Sequence, residues 1–373
     1  MLTHHSNQDY NVAASEAAKL ARSKFEAEIN RGKTRAAAVI EQVETQIPVD
    51  RVVNNKALNF KIVMGDLKVQ LGGKTELVEG FHRNALNQAA ERAGIPVTYI
   101  DKLMAKGDWG RELVAENLNE LYHNGEPARY LTRSVNGQVR GFLSNAYRRM
   151  DARPILESFI GAAQKVGAVP VDGYALETKI ALKAVLPYIF EPVPHEVMLF
   201  GMMFETSDFG NGKLSIRSFV DRLWCTNRAI GTDDLAKVHI GGRLTEDMDL
   251  SRQTYELDTR TMASAARDVV RKSLSAPSVN LFLEGIKQAN EQKIEGRAIS
   301  DFLKQHKLSK GEQDAVVEAF NSPEVEMLPA GQTAWRMSNA ISWIANTKVE
   351  DEERKLELMK IAGVAIEPRK KAA

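Results

Sequence analysis

Six arginines crowd the segment RYLTRSVNGQVRGFLSNAYRRMDAR, at Arg129, Arg133, Arg140, Arg148, Arg149 and Arg153, against one acid, Asp151. The whole chain is almost charge-balanced, with 50 Lys and Arg to 49 Asp and Glu, so the cluster is a local departure. Guanidinium groups gathered in this way bind anions, either carboxylates elsewhere in the fold or the phosphates of a ligand. A second basic run, Arg217, Arg222 and Arg228, is interleaved with Phe219 and Trp224, and Tyr147 sits inside the first. Arginine planes alternating with aromatic rings suit single-stranded nucleic acid. Phosphates need charge, and unpaired bases need stacking surfaces worth roughly 1–3 kcal/mol per base.

Covalent and metal chemistry leave fewer traces. The histidines at 4, 5, 82, 123, 195, 239 and 306 show no metal-ligand spacing on a helix, and there is no Gly-x-Ser-x-Gly elbow. The single Cys225 excludes an internal disulfide framework and a multi-cysteine metal site, in keeping with a reducing compartment. Two Gly-Lys-Thr triplets fail as phosphate loops, because Lys68 and Ala27 stand where the first glycine is required. Asp233, Asp234, Glu246, Asp247 and Asp249 read as solvated acidic loops before they read as a magnesium site. No catalytic residue, cofactor or metal ligand is assigned on these grounds, although dispersed catalytic residues leave no local signature.

The elements that must hold the arginines follow from turn chemistry. Asn136-Gly137 between two strand-like runs predicts a two-residue hairpin in which Arg133 faces Arg140 and Leu131 faces Phe142. Like charges opposite one another cost roughly 0.2–1 kcal/mol, so an anion should bridge the pair. Asp151 is expected to cap a helix with Pro154 in its first turn and Gly167 as its stop. Arg148, Arg149 and Arg153 then lie at that helix's positive end, a second small penalty that an anion would relieve.

Elsewhere the chain alternates between two periods. Asn11 to Gln46 reads as two helices broken at Gly32, forming an arm with a thin apolar stripe of Leu20, Phe25 and Ile29. NFKIVM, a Gly65-Asp66 turn and LKVQLGG predict a hairpin. From Phe81 to Met104, Ala90, Gly94, Ile95 and Ile100 have helix-turn-helix spacing, but the second helix would offer a groove only Thr98, Tyr99, Asp101 and Lys102, with no net charge. YALETKIALKAVL, EVMLFGMMFET and KLSIRSFVDRLWCTN read as three strands, the middle one buried on both faces with Met198, Met202 and Met203 as core filler. From Asp258 onward the pattern is helical, with a capping box at Ser309 and Glu312, stops at Pro277 and Pro323, Trp335 and Trp343 on one face, and a basic tail at 368–371.

The order of QVRGFLSNAYRRMDARPILESF, LSIRSFVDRLWCTNRAIG, KVHIGG and TAWRMSNAISWI resembles the phage/plasmid-like protein family known as domain of unknown function nine-three-two. The likeness runs from about Phe81 to about Ile344. It departs at Arg228, where the family more often has glycine, and at Asp208-Phe209-Gly210. The resemblance implies a phage or plasmid gene, often beside replication and recombination genes, with no established activity.

Together these features predict an α+β chain, in which helices pack on a central, mostly antiparallel sheet. A helical arm is expected over 1–48, an α+β core over 49–255 and a helical region over 256–373. There is no run of eighteen apolar residues and no signal-like N-terminus, so no membrane association and a cytoplasmic location in a bacterial host are expected. The function expected is non-enzymatic binding of nucleic acid, single-stranded DNA in particular, for replication or recombination, by a homo-oligomer. A protein-interaction or anti-host-defence factor, and a nucleotide-binding enzyme, are the alternatives.

Overall fold

A computed structural model describes residues 10–72, 77–223, 228–235, 250–322 and 328–366. The chain is α+β, with strands gathered in two mostly antiparallel sheets and helices at both ends. The first sheet is built from β1 (Val49–Asn54), β2 (Leu58–Val63), β3 (Asp66–Leu71), β4 (Leu77–Phe81), β5 (Arg129–Val135) and β6 (Gln138–Ser144). They lie in the order β1-β5-β6-β4-β3-β2, with β4 and β6 parallel. Between β4 and β5 the chain forms α2 (Arg83–Arg92), α3 (Val97–Met104) and α4 (Asp108–Asn124). Alternating apolar residues, Leu58 and Phe60 on β2 and Leu67, Val69 and Leu71 on β3, meet Leu86, Ile100, Val114 and Leu118 of these helices in one core.

The second sheet follows α5 (Ala152–Lys165) and comprises β7 (Val169–Ala175), β8 (Ile180–Val185), β9 (Phe190–Val193), β10 (Glu196–Thr206), β11 (Ser215–Arg222) and β12 (Arg228–Asp233). Its order is β12-β11-β10-β8-β7, with β9 also on β10. Strand β10 is apolar along most of its length and buried on both faces, as expected, its three methionines fully enclosed. Helix α5 reaches it through Phe159 against Phe204. The segment YALETKIALKAVL is not one strand: β7 ends at Ala175 and β8 begins at Ile180, so LETK is a turn.

Helix α1 (Glu16–Thr45) is continuous through Gly32, not two helices. A Cβ at Gly32 would lie 1.3 Å from the Val171 carbonyl oxygen, so this glycine brings the helix against β7 and does not break it. The stripe that packs on the second sheet's core is Ala18, Ala21, Phe25, Ala36 and Val39, with Ile29 partly buried. Leu20, expected in it, is 69% exposed, because the buried face is set by small residues that let the helix lie close to β7. The C-terminal helices are α6 (Arg252–Ser273), α7 (Ala276–Glu291), α8 (Gly296–Gln305), α9 (Lys310–Asn321), α10 (Ala334–Thr347) and α11 (Glu352–Ile366). The capping box at Ser309 and Glu312 is present. Pro277 opens α7 and does not end α6, a position where its missing N–H has no cost. Trp335 is buried with this helical core. Pro323 and the basic tail lie outside the described residues.

Candidate nucleic-acid interface

The arginine hairpin closes where expected, with Asn136 at φ 51° and Gly137 at φ 73°. Its register then slips. A bulge lets Ser134 face Val139 but sets Arg133 opposite Gly141, leaving Arg140 as the extra residue. Leu131 consequently faces Leu143, not Phe142. Gly141 also lets the strand pass close to the next loop, since a Cβ there would lie 3.2 Å from Phe209 Cα.

The two arginines therefore diverge. Arg133 is 1% exposed and fully engaged inside the protein. Its Nε donates to Asp50 Oδ1 at 2.7 Å, its Nη2 to Asp151 Oδ1 at 2.5 Å and its Nη1 to the Asp208 carbonyl at 2.8 Å. Burial alone would depress this guanidinium, but Asp208, Asp50 and Asp151 outweigh it and hold it above the ordinary arginine value. Arg140 donates to Gln46 Oε1 at 2.7 Å and to the Glu177 carbonyl at 3.0 Å, and burial lowers its pKa against the pull of Glu177. The anion that the sequence demanded at Arg133 is internal.

The same aspartates govern the start of α5. Asp151 stands at the N-cap but makes no capping bond, since its carboxylate serves Arg133. Asp208 takes over, its Oδ1 accepting from the Ala152 N–H at 2.8 Å. Burial pushes the Asp208 carboxyl up to about 6; Arg133 pulls against this, while Asp151 and Asp50 add to it.

The remaining arginines are mostly accounted for in the same way. Arg148 grips Asp258 of α6 with Nε at 2.6 Å and Nη2 at 2.5 Å. Arg149 lies over the Tyr255 ring at 4.7 Å and 4.0 Å from Asp50. The Tyr147 phenol is raised, chiefly by burial. Arg153 pairs with Glu157 one turn along α5, and Arg129 lies exposed at the start of β5. On β11, Arg222 is buried between Glu196, at 2.5 and 2.8 Å, and Asn339, at 3.1 Å. Trp335 Nε1 donates to the same Glu196. Arg217 donates to the Gly231 carbonyl at 3.2 Å. Phe219 is core and offers no stacking surface. Arg228 begins β12 opposite Asp221; its side chain, Trp224 and Cys225 lie outside the described residues.

Arg222 lies well away from the Arg133 cluster. Arg222 pairs in register with Met198, eight residues along β10 from Thr206, beyond which comes the Asp208 turn. At about 3.3 Å per residue the two lie about 26 Å apart.

The helix-turn-helix segment is present as α2 and α3, with Gly94 at φ 74° in the turn and Ala90, Ile95 and Ile100 buried. Thr98, Tyr99, Asp101 and Lys102 are the exposed face of α3, and Arg83 is tied to Asp101. Asp234 accepts from Ser218 and Ser273, while Glu246, Asp247 and Asp249 lie outside the described residues. Among the described residues no cluster of His, Cys, Asp and Glu could hold a metal ion.

A like-charge pair of the kind sought at Arg133 and Arg140 stands on another hairpin. Strands β2 and β3 turn through Met64 (φ 55°) and Gly65 (φ 82°), one residue earlier than Gly65-Asp66. That register puts Lys61 directly opposite Lys68. It also continues across the sheet, since Lys68 is level with Gly80 and Gly80 with Gln138. Lys61, Lys68 and Gln70 alternate with the core residues Phe60, Leu67 and Val69, so they lie on the face turned away from α2, α3 and α4. Lys61 Nζ donates to Gln70 Oε1 at 3.1 Å. Among the described residues no carboxylate lies within 4.0 Å of either lysine. With Gly80 bare between Gln138 and Lys68, the row is a shallow trough about 14 Å across its four strands. The signal for this pair was in the sequence, but a turn placed one residue late sets Lys61 against Gln70 and hides it.

No family model matches the chain, and no curated protein or solved structure matches it.

Proposed function

We propose that the chain binds nucleic acid through the β2–β3 part of its first sheet, on the face turned away from α2, α3 and α4, holding single-stranded DNA by its phosphates, as a binding or annealing factor would. The observation that carries this reading is the Lys61–Lys68 pair, two cations set opposite one another on an accessible face with no carboxylate partner among the described residues. A phosphate between them removes a like-charge penalty of roughly 0.2–1 kcal/mol and gains charge-assisted hydrogen bonds. Gln70 and Gln138 add neutral donors on the same face, and bare Gly80 admits a chain close to the sheet. The described part of this face carries no aromatic ring, so binding is through the backbone and independent of base sequence. A mobile-element setting, which the family resemblance implies, accords with such a role.

The test is a mobility-shift assay with single-stranded DNA, duplex DNA and RNA of equal length at two salt concentrations. Single strands should shift at low salt and lose the shift at high salt, with no dependence on sequence. Absence of a shift with every probe at low salt would sink the proposal.

A further inference from the structure

Among the described residues five strand edges terminate the two sheets, and four are covered. On β2 the N–H and C=O of Phe60 are both bonded to the Asn119 amide of α4, at 2.7 and 2.8 Å. The Leu58 carbonyl meets His123 Nε2 at 2.6 Å, and Arg111 donates to the Gly65 carbonyl. Helix α4 thus occupies the place of a further strand. On β7, α1 lies with Gly32 against the Val171 carbonyl; on β12, α11 lies with Gly363 against the Ile230 carbonyl. Strand β9 is flanked by α7 and by the segment in which the Ala13 N–H donates to the Ile189 carbonyl. Helices and loops laid over strands in this way block edge-to-edge association.

Strand β1 is different. Its register with β5 and the Asn55 N–H to Ala128 carbonyl bond make Val49, Arg51, Val53 and Asn55 the residues bonded to β5. Asp50, Val52 and Asn54 therefore turn their backbone N–H and C=O outward, and among the described residues nothing bonds to them. Charge does not guard this edge either. The Asp50 side chain is held by Arg133 and that of Arg51 by Glu79. Exposed Ile47 and Val49 flank it, at 58% and 50% exposure.

We propose that β1 is an assembly edge on which a second copy of this chain adds its own β1 antiparallel, joining two first sheets into one of twelve strands. A second copy fits because each chain has, among its described strands, one such edge. A two-fold axis through Val52 sets Val52 opposite Val52 and Asp50 opposite Asn54, consuming both edges and closing the assembly as a dimer. This is independent of nucleic-acid binding, since the lysine row is on β2 and β3 at the other side of the sheet.

The experiment is light scattering on size-separated full-length chain across a hundredfold range of concentration, for the wild type, Val52→Pro and Asn54→Lys. Proline at 52 removes an outward N–H without touching the ladder to β5. The wild type should have twice the chain mass, and both variants should fall to the monomer mass with circular dichroism and melting temperature of a folded chain. A monomeric wild type throughout, or a dimer that survives both substitutions, overturns the proposal. If Val52→Pro fails to fold, Asn54→Lys alone decides.

Discussion

Two hairpins of the same sheet each bring a pair of cations to the centre of two antiparallel strands, and they resolve the charge in opposite ways. At β5–β6 a bulge separates Arg133 from Arg140 and three aspartates from other parts of the chain close around Arg133. At β2–β3 the ladder is regular, Lys61 and Lys68 stay opposite, and no carboxylate among the described residues lies within 4.0 Å of either. A dense arginine cluster thus became a joint between the sheets, while an unremarkable lysine pair kept its demand for an anion. Local charge density is a poor guide to an interface, because a fold can bring acids to it from anywhere; register and accessibility decide.

The comparison can be broken most directly at Arg133. Replacing it with methionine takes the cation from buried Asp208 and from Asp151 and leaves Asp50 only the more distant Arg149. Removing one partner of a buried ion pair costs roughly 3–5 kcal/mol, the exposure of Asp151 placing this case toward the lower end. Chemical denaturation of Arg133→Met should show a loss of this size. A variant as stable as the wild type would mean that the cluster is not the joint described.

A smaller effect sharpens the same region through pH. Asp208 is raised by burial from 3.8 to about 6, so between those values the folded chain keeps a proton that the unfolded chain releases. Stability from this group is complete below about pH 3.8, falls as pH rises, and has been lost above about pH 6, an effect on the order of 3 kcal/mol. Glu312, lowered from 4.5 to about 2 mainly by its hydrogen bond from Arg354, acts with the opposite sign and loses its contribution as pH falls below 4.5. Denaturation midpoints from pH 4.5 to 8 should decline in the wild type, and Asp208→Asn, which keeps an acceptor for Ala152, should flatten that decline. An equal decline in the variant would assign it to other groups.

The smallest expected change in stability is at the lysines. Lys61→Gln with Lys68→Gln should leave the unfolding free energy within about 1 kcal/mol of the wild type, or raise it slightly by removing like charges. A loss comparable to that of Arg133→Met would show that the pair is structural.

Much of the fold was legible because its signals are local. The buried run of β10, the Asn136-Gly137 turn and the Ser309–Glu312 capping box each depend on a few adjacent residues. What was hidden depends on distant ones. Gly32 reads as a helix breaker until Val171 is known to lie against it, and the bulge at Arg140 answers to a loop near Phe209. Asp50 and Asp208 lie 83 and 75 positions from Arg133, beyond the reach of any local pattern. At the lysine pair the obstacle was a single residue with positive φ, since methionine is an unusual occupant of Met64's turn position and glycine at 65 drew the turn one place late.

The central claim is that the unmet anion demand of this sheet lies at Lys61 and Lys68 and not at Arg133. Fluorescence anisotropy of a labelled single-stranded oligonucleotide, titrated at several salt concentrations with the wild type and with the Lys61→Gln, Lys68→Gln double variant, tests it directly. Two phosphate contacts contribute a slope of about −1.4 in log affinity against log salt. The account predicts that the double variant binds more weakly and that its slope is shallower by about this amount. Wild-type affinity and an unchanged slope in the folded double variant would contradict it.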